Sequence, residues 1–600
     1  MQFTPKIKVL VKGSFLFLLL FSVTSFGQGF LHREEQKIVD GNGNNILLRG
    51  LGLGGWMVQE GYMLKTGDFA GPQYKIKQKI AEVIGEENTK EFYQAYKSNG
   101  ITKRDIDSLA AWGFNSIRLP MHYNLYTLPS DKEFVAGENT WLDEGFSMTD
   151  NLLEWCAVNK MYLILDLHAT PGGQGKDANI SDFDTSKPGL WDSAANQDKM
   201  VALWKKLAER YKNQPWIGGY DIVNEPNWNF SATHPNGCDE KLNAPLRALE
   251  IKITNAIREV DTNHIIIIEG NCWGNNYNGI FPLWDENMVL SFHKYWNYND
   301  TASIQQMLDY RKQYNVPIWL GESGENSNVW FKDVLSLVES NNIGWAFWPM
   351  KKIDNIAGVT SVVQPKGYDA LLKYWQYGTN KPTVEAAKIT LMELANNYKM
   401  ENLNIKHDVI DAMFRQVYST ETKPFAKNSV PGKIYASEYD LGQMNQAYFD
   451  KDAHDYWVSS GKKTKWNSGN QMRNDGVDIE KCSDIISNGF DVTSIEEGEW
   501  LQYTITLNSE KTFNMELRYS NDKVGGKLYL SDEKNNRISP SITLPFSGGI
   551  NKWKGSTISN IHLKQGINKV RVHFEKGNFN LNYLEFKSPN TAKIHTTKIP

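Results

Sequence analysis

The stretch Gly219-Tyr220-Asp221-Ile222-Val223-Asn224-Glu225-Pro226 is typical of a short buried strand that ends on an amide and a carboxylate. Amphipathic runs typical of helices flank it, residues 200–208 before it and residues 246–257 after it. Seven similar apolar stretches alternate with helical patterns between residues 37 and 375. The eight predicted strands are residues 46–55, 114–121, 162–169, 217–225, 264–271, 288–295, 317–324 and 344–349. This alternation predicts an α/β fold, a (β/α)8 barrel, within residues 30–418.

The carboxyl end of nearly every predicted strand carries a polar or aromatic side chain. In such barrels these strand ends meet at one face, where the active site lies. A structural ion pair or core packing would explain each side chain singly, but not the whole set. We therefore expect one cleft lined by Arg118, His168, Glu225, Glu269, His293, Glu322 and Trp348.

Two of these side chains, Glu225 and Glu322, have the chemistry for cleaving a glycosidic bond. That reaction needs a proton donor for the leaving oxygen and a carboxylate that meets the anomeric carbon. Carboxyl groups about 5 Å apart react through a covalent intermediate with net retention, whereas a wider gap admits water and inverts. Glu269 is the competing carboxylate, but its strand neighbours indicate a supporting role.

Asn224-Glu225-Pro226, together with the later strand-ending Glu322, resembles glycoside hydrolase family 5 across about residues 30–375. The resemblance implies that Glu225 is the acid/base and Glu322 the nucleophile. It also implies that Asn224 holds the sugar 2-hydroxyl and that Trp348 lies under the sugar. The other implied substrate-binding residues are Arg118, His168, His293 and Tyr295. Catalysis in this family implies no cofactor and no metal.

The substrate stays open between several β-linked polymers. Residues 51–60 and 166–174 resemble the branch of family 5 that contains β-1,3-glucanases, but Ser323 follows Glu322 where that branch has an aromatic residue. Both β-1,3 and β-1,4 glucans therefore remain candidates for a retaining β-glycosidase. The alternatives are hydrolysis of mannan or xylan, transfer to a sugar acceptor, or a non-catalytic glycan-binding protein on the same fold.

The composition changes after the barrel, and a second domain is predicted. Residues 419–430 are polar with a proline and predict a linker, and residues 431–587 show the alternating short strands of a β-sandwich. Motifs at residues 430–434, 473–480, 497–503 and 580–583 resemble carbohydrate-binding module family 6. The resemblance implies sugar binding by Phe490, Trp553 and Asn580. The acidic residues that bind calcium in that family correspond here to Tyr435 and Ser437, which argues against calcium.

Residues 1–27 place three lysines before a short apolar run and a small-residue site, which predicts a secretory signal peptide and an exported protein. The net charge of −4 gives no sign of a nucleic-acid or membrane partner, and we expect a monomer. The polar residues 588–600 predict a tail. The cysteines Cys156, Cys238, Cys272 and Cys482 lack metal-site spacing; we interpret them as buried thiols, with a Cys238–Cys272 bridge as the alternative.

Overall fold

A computed structural model describes residues 29–231 and 233–589. The predicted signal peptide and residues 590–600 of the predicted tail lie outside this part of the chain. None of the helices in the described ranges has the length and apolar character needed to cross a membrane.

Eight parallel strands close into a barrel, in which the last strand pairs with the first. The predicted (β/α)8 barrel is confirmed, with strand ends that differ from the predicted bounds by a few residues. The strands are β1 (Arg49–Gly52), β2 (Ser116–His122), β3 (Tyr162–Ala169), β4 (Ile217–Asp221), β5 (Ile266–Glu269), β6 (Met288–Lys294), β7 (Ile318–Gly324) and β8 (Gly344–Trp348).

Helices connect most of these strands and continue beyond β8. The longer helices are Gln73–Ile84, Glu86–Gly100, Lys103–Trp112, Asp143–Val158, Ala194–Tyr211, Ala244–Arg258, Gln305–Tyr314, Asn328–Ser340, Tyr368–Tyr377, Val384–Asn397 and His407–Phe414. The connection from β5 to β6 departs from the expected pattern, because it contains only the short turn Asn271–Gly274. The residues that follow, 275–282, are rich in Asn and include Gly279 and Pro282, so they lack a helical apolar stripe.

One disulfide bond joins Cys238, in the connection after β4, to Cys272, in the turn after β5. The interpretation of four unpaired thiols is therefore wrong for this pair. The two connections fold toward each other at the same face of the barrel, which brings cysteines 34 residues apart into bonding distance. Cys156 and Cys482 are free thiols, and Cys156 is buried.

The side chains inside the barrel change from apolar to charged along its axis. Successive residues of a strand point to opposite faces, so Ile164, Asp166 and His168 of β3 share the inward face. Near the amino ends of the strands, such inward residues form an apolar cluster with Leu31 and with Ile38 of the hairpin that His32–Glu34 and Lys37–Val39 form. The charged inward residues therefore lie together at the carboxyl ends of the strands, above an apolar cluster that fills the other end of the barrel.

Strand β7 has a β-bulge, that is, one extra residue compared with the stretches of β6 and β8 that pair with it. Phe292 and His293 of β6 pair with Leu320 and Glu322, and the pairing with β8 shifts at the same place. Such a β-bulge re-aims the side chains that follow it. Strict alternation from the buried Trp319 would point Glu322 outward, and the bulge is what turns it into the cleft.

The second domain is a β-sandwich of two antiparallel sheets, and the predicted all-β class is confirmed. One sheet contains Gly432–Tyr435, Ile479–Lys481, Phe490–Val492, Lys511–Asn521, Gly549–Leu563 and Asn580–Lys587. The other contains Tyr448–Phe449, Trp500–Leu507, Lys527–Asp532, Ile542–Thr543 and Gly566–Lys576. Their facing apolar side chains form a separate core. The predicted linker lies along this domain, where Lys423 and Leu441 exchange backbone hydrogen bonds.

The two domains join through buried polar side chains. Asn328, which begins the helix after β7, donates from its amide to Asp475 of the sandwich (2.9 Å) and to Asp408 of the last barrel-domain helix (3.0 Å). The Asn474 amide donates to the Asn326 carbonyl oxygen over 2.8 Å. Because all four side chains are buried, the sandwich is fixed against the loop that follows the β7 carboxylate.

Candidate active site

Glu322 lies at the end of β7, and two side chains hold its carboxylate from different directions. The Arg118 guanidinium donates to Oε2 over 2.9 Å, and the Tyr295 hydroxyl donates to Oε1 over 2.8 Å. A hydrogen bond to each oxygen holds the carboxylate in one orientation. A fixed orientation toward the cleft is what a nucleophile needs.

Arg118 is fully buried among four carboxylates. Besides Glu322, its guanidinium lies 3.2 Å from Asp166, 2.9 Å from Asp221 and 3.0 Å from Glu269. Although burial opposes the charged form, these carboxylates raise the pKa of Arg118 well above its ordinary value. The arginine therefore remains a cation and organises the charges beneath the cleft.

Glu225, just beyond β4, carries the second carboxylate of the predicted pair. Burial raises its pKa, and the negative charges of Glu322 and Glu269 act in the same direction. His293 opposes them, because its Nδ1 lies 2.6 Å from Glu225 Oε1 and its own pKa is raised, which favours a positive ring that lowers the pKa of Glu225. A carboxyl group with a raised pKa retains a proton that it can donate, which is the requirement for a general acid.

The backbone at Glu225 is held in an unusual conformation, with a positive φ of 45°. Its N–H donates to the Glu269 carboxylate over 2.7 Å, and the Asn227 amide donates to its carbonyl oxygen over 2.8 Å. Glu269 is the supporting carboxylate that the sequence indicated. Although burial raises its pKa, His293 and Arg118 outweigh that effect and lower it to about 2.

His168 and Trp348 form a stacked pair at the other side of the cleft. Their ring centroids lie 4.9 Å apart and their planes are inclined by 10°. Burial works against the charged ring, but Asp166 and Glu60 raise the pKa of His168 to about 10. The Trp348 indole N–H donates to the Tyr62 hydroxyl over 2.9 Å, which fixes the ring that would lie under a sugar.

Asn224 lies between the arginine and the histidine. Its Oδ1 accepts from Arg118 over 2.8 Å, and its Nδ2 lies 3.4 Å from His168 Nε2. Accepting from the arginine orients the amide, with its nitrogen toward His168. The structure thus brings all nine residues predicted for the cleft together.

Four further side chains of this cleft were not predicted from the sequence: Glu60, Tyr62, Asp166 and Asp221. The aspartates share the inward face with predicted residues of β3 and β4, so the two-residue period could have revealed them. Glu60 lies in a loop eight residues beyond β1, so no periodicity of the sequence predicts that it reaches the cleft. Burial raises the pKa of Glu60 to about 7 beside His168.

The three predicted sugar-binding residues of the sandwich lie at one end of its six-stranded sheet. Phe490 and Trp553 are half-buried, and the Trp553 indole donates to Ser483 in the loop that precedes Phe490 (3.0 Å). The Asn580 amide is engaged inside the protein, where it donates to Glu480 over 2.7 Å and to Asp491 over 2.9 Å. The two rings are therefore better placed than Asn580 for contact with a ligand.

One possible metal-binding group coincides with the predicted catalytic pair. Atoms of Glu225, His293 and Glu322 all lie within 4.8 Å of one another. Burial opposes the charged form of His293, but Glu269, Glu322 and Glu225 raise its pKa well above the ordinary value. A histidine placed between two carboxylates in this way also suits proton transfer.

Comparison with known proteins agrees with this geometry. Residues 76–353 match the model of cellulase, glycosyl hydrolase family 5, and residues 470–588 match the carbohydrate binding module of family 6. The β-xylosidase of Phanerodontia chrysosporium is 28% identical over 381 residues, which cover 57% of this chain and 75% of that protein. Endoglucanase C of Acetivibrio thermocellus (strain ATCC 27405) is 26% identical over 320 residues, 42% of this chain and 85% of that protein. Probable glucan 1,3-beta-glucosidase A of Aspergillus fumigatus (strain CBS 144.89) is 25% identical over 294 residues, which cover 46% of this chain and 65% of that protein.

The barrel, its paired carboxylates and the family match together define a glycoside hydrolase. Within that class, the barrel is a family 5 catalytic domain, matched over residues 76–353, and the C-terminal sandwich is a carbohydrate-binding module of family 6, matched over residues 470–588.

Proposed function

We propose that this protein is a retaining β-glucan hydrolase. The observation that carries the proposal is the separation of the catalytic carboxylates, because an oxygen of Glu225 and an oxygen of Glu322 lie within 4.8 Å. Carboxyl groups about 5–5.5 Å apart leave no room for a water molecule between them and the sugar, so the reaction proceeds through a glycosyl-enzyme.

In the first step Glu322 attacks the anomeric carbon while Glu225 transfers its proton to the glycosidic oxygen. The bond to the leaving sugar breaks, and an ester joins the remaining glycosyl unit to Glu322. In the second step the Glu225 carboxylate takes a proton from water, and the water oxygen attacks the anomeric carbon. Glu322 leaves as the carboxylate that Arg118 and Tyr295 already stabilise.

A β-glucan is the substrate that the relatives favour, since their names include an endoglucanase and a glucan 1,3-β-glucosidase. Trp348 supplies an aromatic ring to the wall of the cleft, stacked on His168 and held by the Tyr62 hydroxyl, and aromatic rings suit contact with a glucosyl unit. The second candidate is a β-linked xylose polymer or oligomer, because the similar region shared with the β-xylosidase covers the larger part of this chain.

The test is incubation with barley mixed-linkage glucan, carboxymethyl cellulose, laminarin, xylan and mannan, with products resolved by size. Sugar release from a glucan, with the β-anomer appearing first by proton NMR, would support the proposal. Release from xylan alone would favour the second candidate. If no sugar were released from any of the five polymers while the protein still bound them, it would be a non-catalytic glycan-binding protein. A Glu322→Gln protein that still released sugar would refute the assignment of the nucleophile.

We also propose that the protein is exported and that its module holds it near the polysaccharide. The disulfide between Cys238 and Cys272 supports export, because such bonds persist in oxidising compartments. Tethering by a weakly binding module raises the local concentration of substrate. Mass spectrometry of the protein from the culture medium should show a chain that lacks about residues 1–27; full-length protein confined to the cell would contradict export.

A further inference from the structure

A short segment of the sandwich domain, residues 455–459, lies against the barrel beside the catalytic cleft. The Val458 N–H donates to the carbonyl oxygen of Trp296 over 3.1 Å. In return, the Tyr298 N–H donates to the Ser459 hydroxyl over 2.9 Å. Trp296 and Tyr298 belong to the loop after β6, so the segment is bonded to the same loop that carries Tyr295.

The segment is also bonded to the loop after β7, which follows the nucleophile. The Asn326 amide donates to the carbonyl oxygen of Asp455 over 2.7 Å, and the Asp455 N–H donates back to Asn326 over 3.1 Å. The Asp455 carboxylate then accepts from the N–H of Trp457 over 2.8 Å. Contacts to two catalytic loops therefore fix the backbone that presents Trp457.

Aromatic rings lead outward from the nucleophile to this segment. Tyr295, which donates to Glu322, has its ring centroid 5.2 Å from that of Trp296. Trp296 in turn lies 5.9 Å from Trp457, at an angle of 63°. The Trp296 indole donates to the backbone of Glu325 over 3.1 Å, so the middle ring is also fixed.

Trp457 keeps 43% of its surface exposed although its backbone is held rigidly. Burying this ring against a ligand would cost little conformational entropy, because a tryptophan has only two side-chain torsions and the backbone is already ordered. The Lys463 ammonium lies 5.2 Å from the ring centroid and adds a donor for hydroxyl groups. Such a combination suits a sugar ring.

We propose that Trp457 of the sandwich domain completes the barrel cleft, forming with Trp296 a subsite for a glycosyl unit remote from the cleaved bond. The inference rests on the proposed β-glucan hydrolysis and names a further part of that substrate site. The region that matches the carbohydrate-binding module begins at residue 470, so residues 455–459 lie outside it. The second domain would thus take part directly in recognising the substrate of the barrel.

The experiment compares two substrates of different length, an aryl monoglucoside and a hexasaccharide of the glucan that the unchanged protein cleaves. In Trp457→Ala we expect the ratio of kcat/KM for the long over the short substrate to fall by about five- to tenfold. Trp457→Phe should recover most of this ratio, because it keeps a flat ring. Phe546→Ala is the matched control, since Phe546 is an exposed ring of the same domain (46%) in the loop between Ile542–Thr543 and Gly549–Leu563, and its ratio should not change.

An unchanged ratio in Trp457→Ala would overturn the inference, as would equal losses on both substrates with a lowered melting temperature, which would indicate a purely structural role. If the unchanged protein cleaves no glucan, the proposed function fails separately. The subsite would then be judged by calorimetric titration of β-1,3-linked and β-1,4-linked glucose hexasaccharides into the unchanged protein and Trp457→Ala, where equal affinities would refute it.

Discussion

The backbone of Glu225 shows how the site is maintained at the scale of single residues. A non-glycine residue with a φ of 45° costs about 1–3 kcal/mol unless the surroundings hold it. Here the Glu269 carboxylate accepts the Glu225 N–H over 2.7 Å and is itself held by Arg118. The supporting carboxylate therefore fixes both the position of the acid/base residue and part of the charge around it.

Replacing Glu225 with glutamine keeps its size but removes the proton that leaves with the aglycone. For natural β-glucan the leaving oxygen is strongly basic, so we expect kcat to fall by about 10²–10⁴-fold. An activated aryl glucoside needs less protonation, and its first step should be much less affected. Steady-state rates on both substrates test this.

The control for that variant is Glu325→Gln, since Glu325 lies three residues after the nucleophile but pairs with Lys352 at 2.7 Å. Its rates should stay close to those of the unchanged protein. A Glu225→Gln protein that lost equal activity on both substrates would contradict the role of general acid.

The pH dependence offers a second prediction at this scale. Glu225 must be protonated for the first step, so activity is lost as pH rises through its pKa. Burial raises that pKa and the cationic His293 lowers it. Removing the cation in His293→Asn should therefore raise the pKa of Glu225 further and move the alkaline limb of kcat/KM to higher pH.

His168→Asn is the matched control, because it removes a cation of the same cleft whose anionic partners are Asp166 and Glu60. Its alkaline limb should move less than that of His293→Asn. A shift to lower pH in His293→Asn would show that another group sets the limb.

At the scale of elements, strand β7 depends on a glycine just after the bulge. Gly324 has a φ of 143°, and a Cβ there would lie 2.3 Å from the carbonyl oxygen of Trp348. Gly324→Ala must therefore push β7 and β8 apart, displacing both Glu322 and Trp348. We expect a loss of about 1–3 kcal/mol in the free energy of unfolding, measured in urea, and a lower kcat.

Gly378→Ala is the control that separates backbone strain at a positive φ from the steric clash of the added Cβ. Gly378 also has a positive φ, 70°, but nothing lies within 4 Å of its Cβ position. It should lose less stability and keep its activity. Equal losses in the two variants would show that the contact with Trp348 is unimportant.

The whole molecule is held together by the buried contact around Asn328. Its side chain bonds Asp408 and Asp475 and accepts from the Asn474 amide over 3.1 Å. Asn328→Ala would leave these buried groups unsatisfied, at a cost of about 1–3 kcal/mol for each. We expect one calorimetric transition in the unchanged protein and two separated transitions in Asn328→Ala.

Asn159→Ala is the control, because the half-buried Asn159 bonds Asp107 and Trp155 within the barrel domain. It should lower the melting temperature without separating the domains. Two resolved transitions in the unchanged protein would contradict the idea of a single cooperative unit. Coupled domains matter here because the proposed subsite at Trp457 exists only while the sandwich stays docked.

The sequence by itself determined the two folds and most of the cleft. Short, largely apolar runs mark β3 and β6 within a residue of their ends, since strands of a parallel barrel are buried on both faces and this requirement is local. The strand ends then predict which side chains meet, because all parallel strands of a barrel end at one face. Residues such as His168 and His293 follow from that rule.

The tertiary structure decided the features that do not follow from the local periodicity of the sequence. The bulge in β7 turns Glu322 inward, where strict alternation from Trp319 would turn it outward. Cys238 and Cys272 meet only because two connections fold together at one face. Tyr298 and Ser459 are 161 residues apart in the chain, and their contact, which brings Trp457 to the cleft, arises from packing between domains. Such contacts depend on how whole surfaces fit together, and that information is spread over the entire chain.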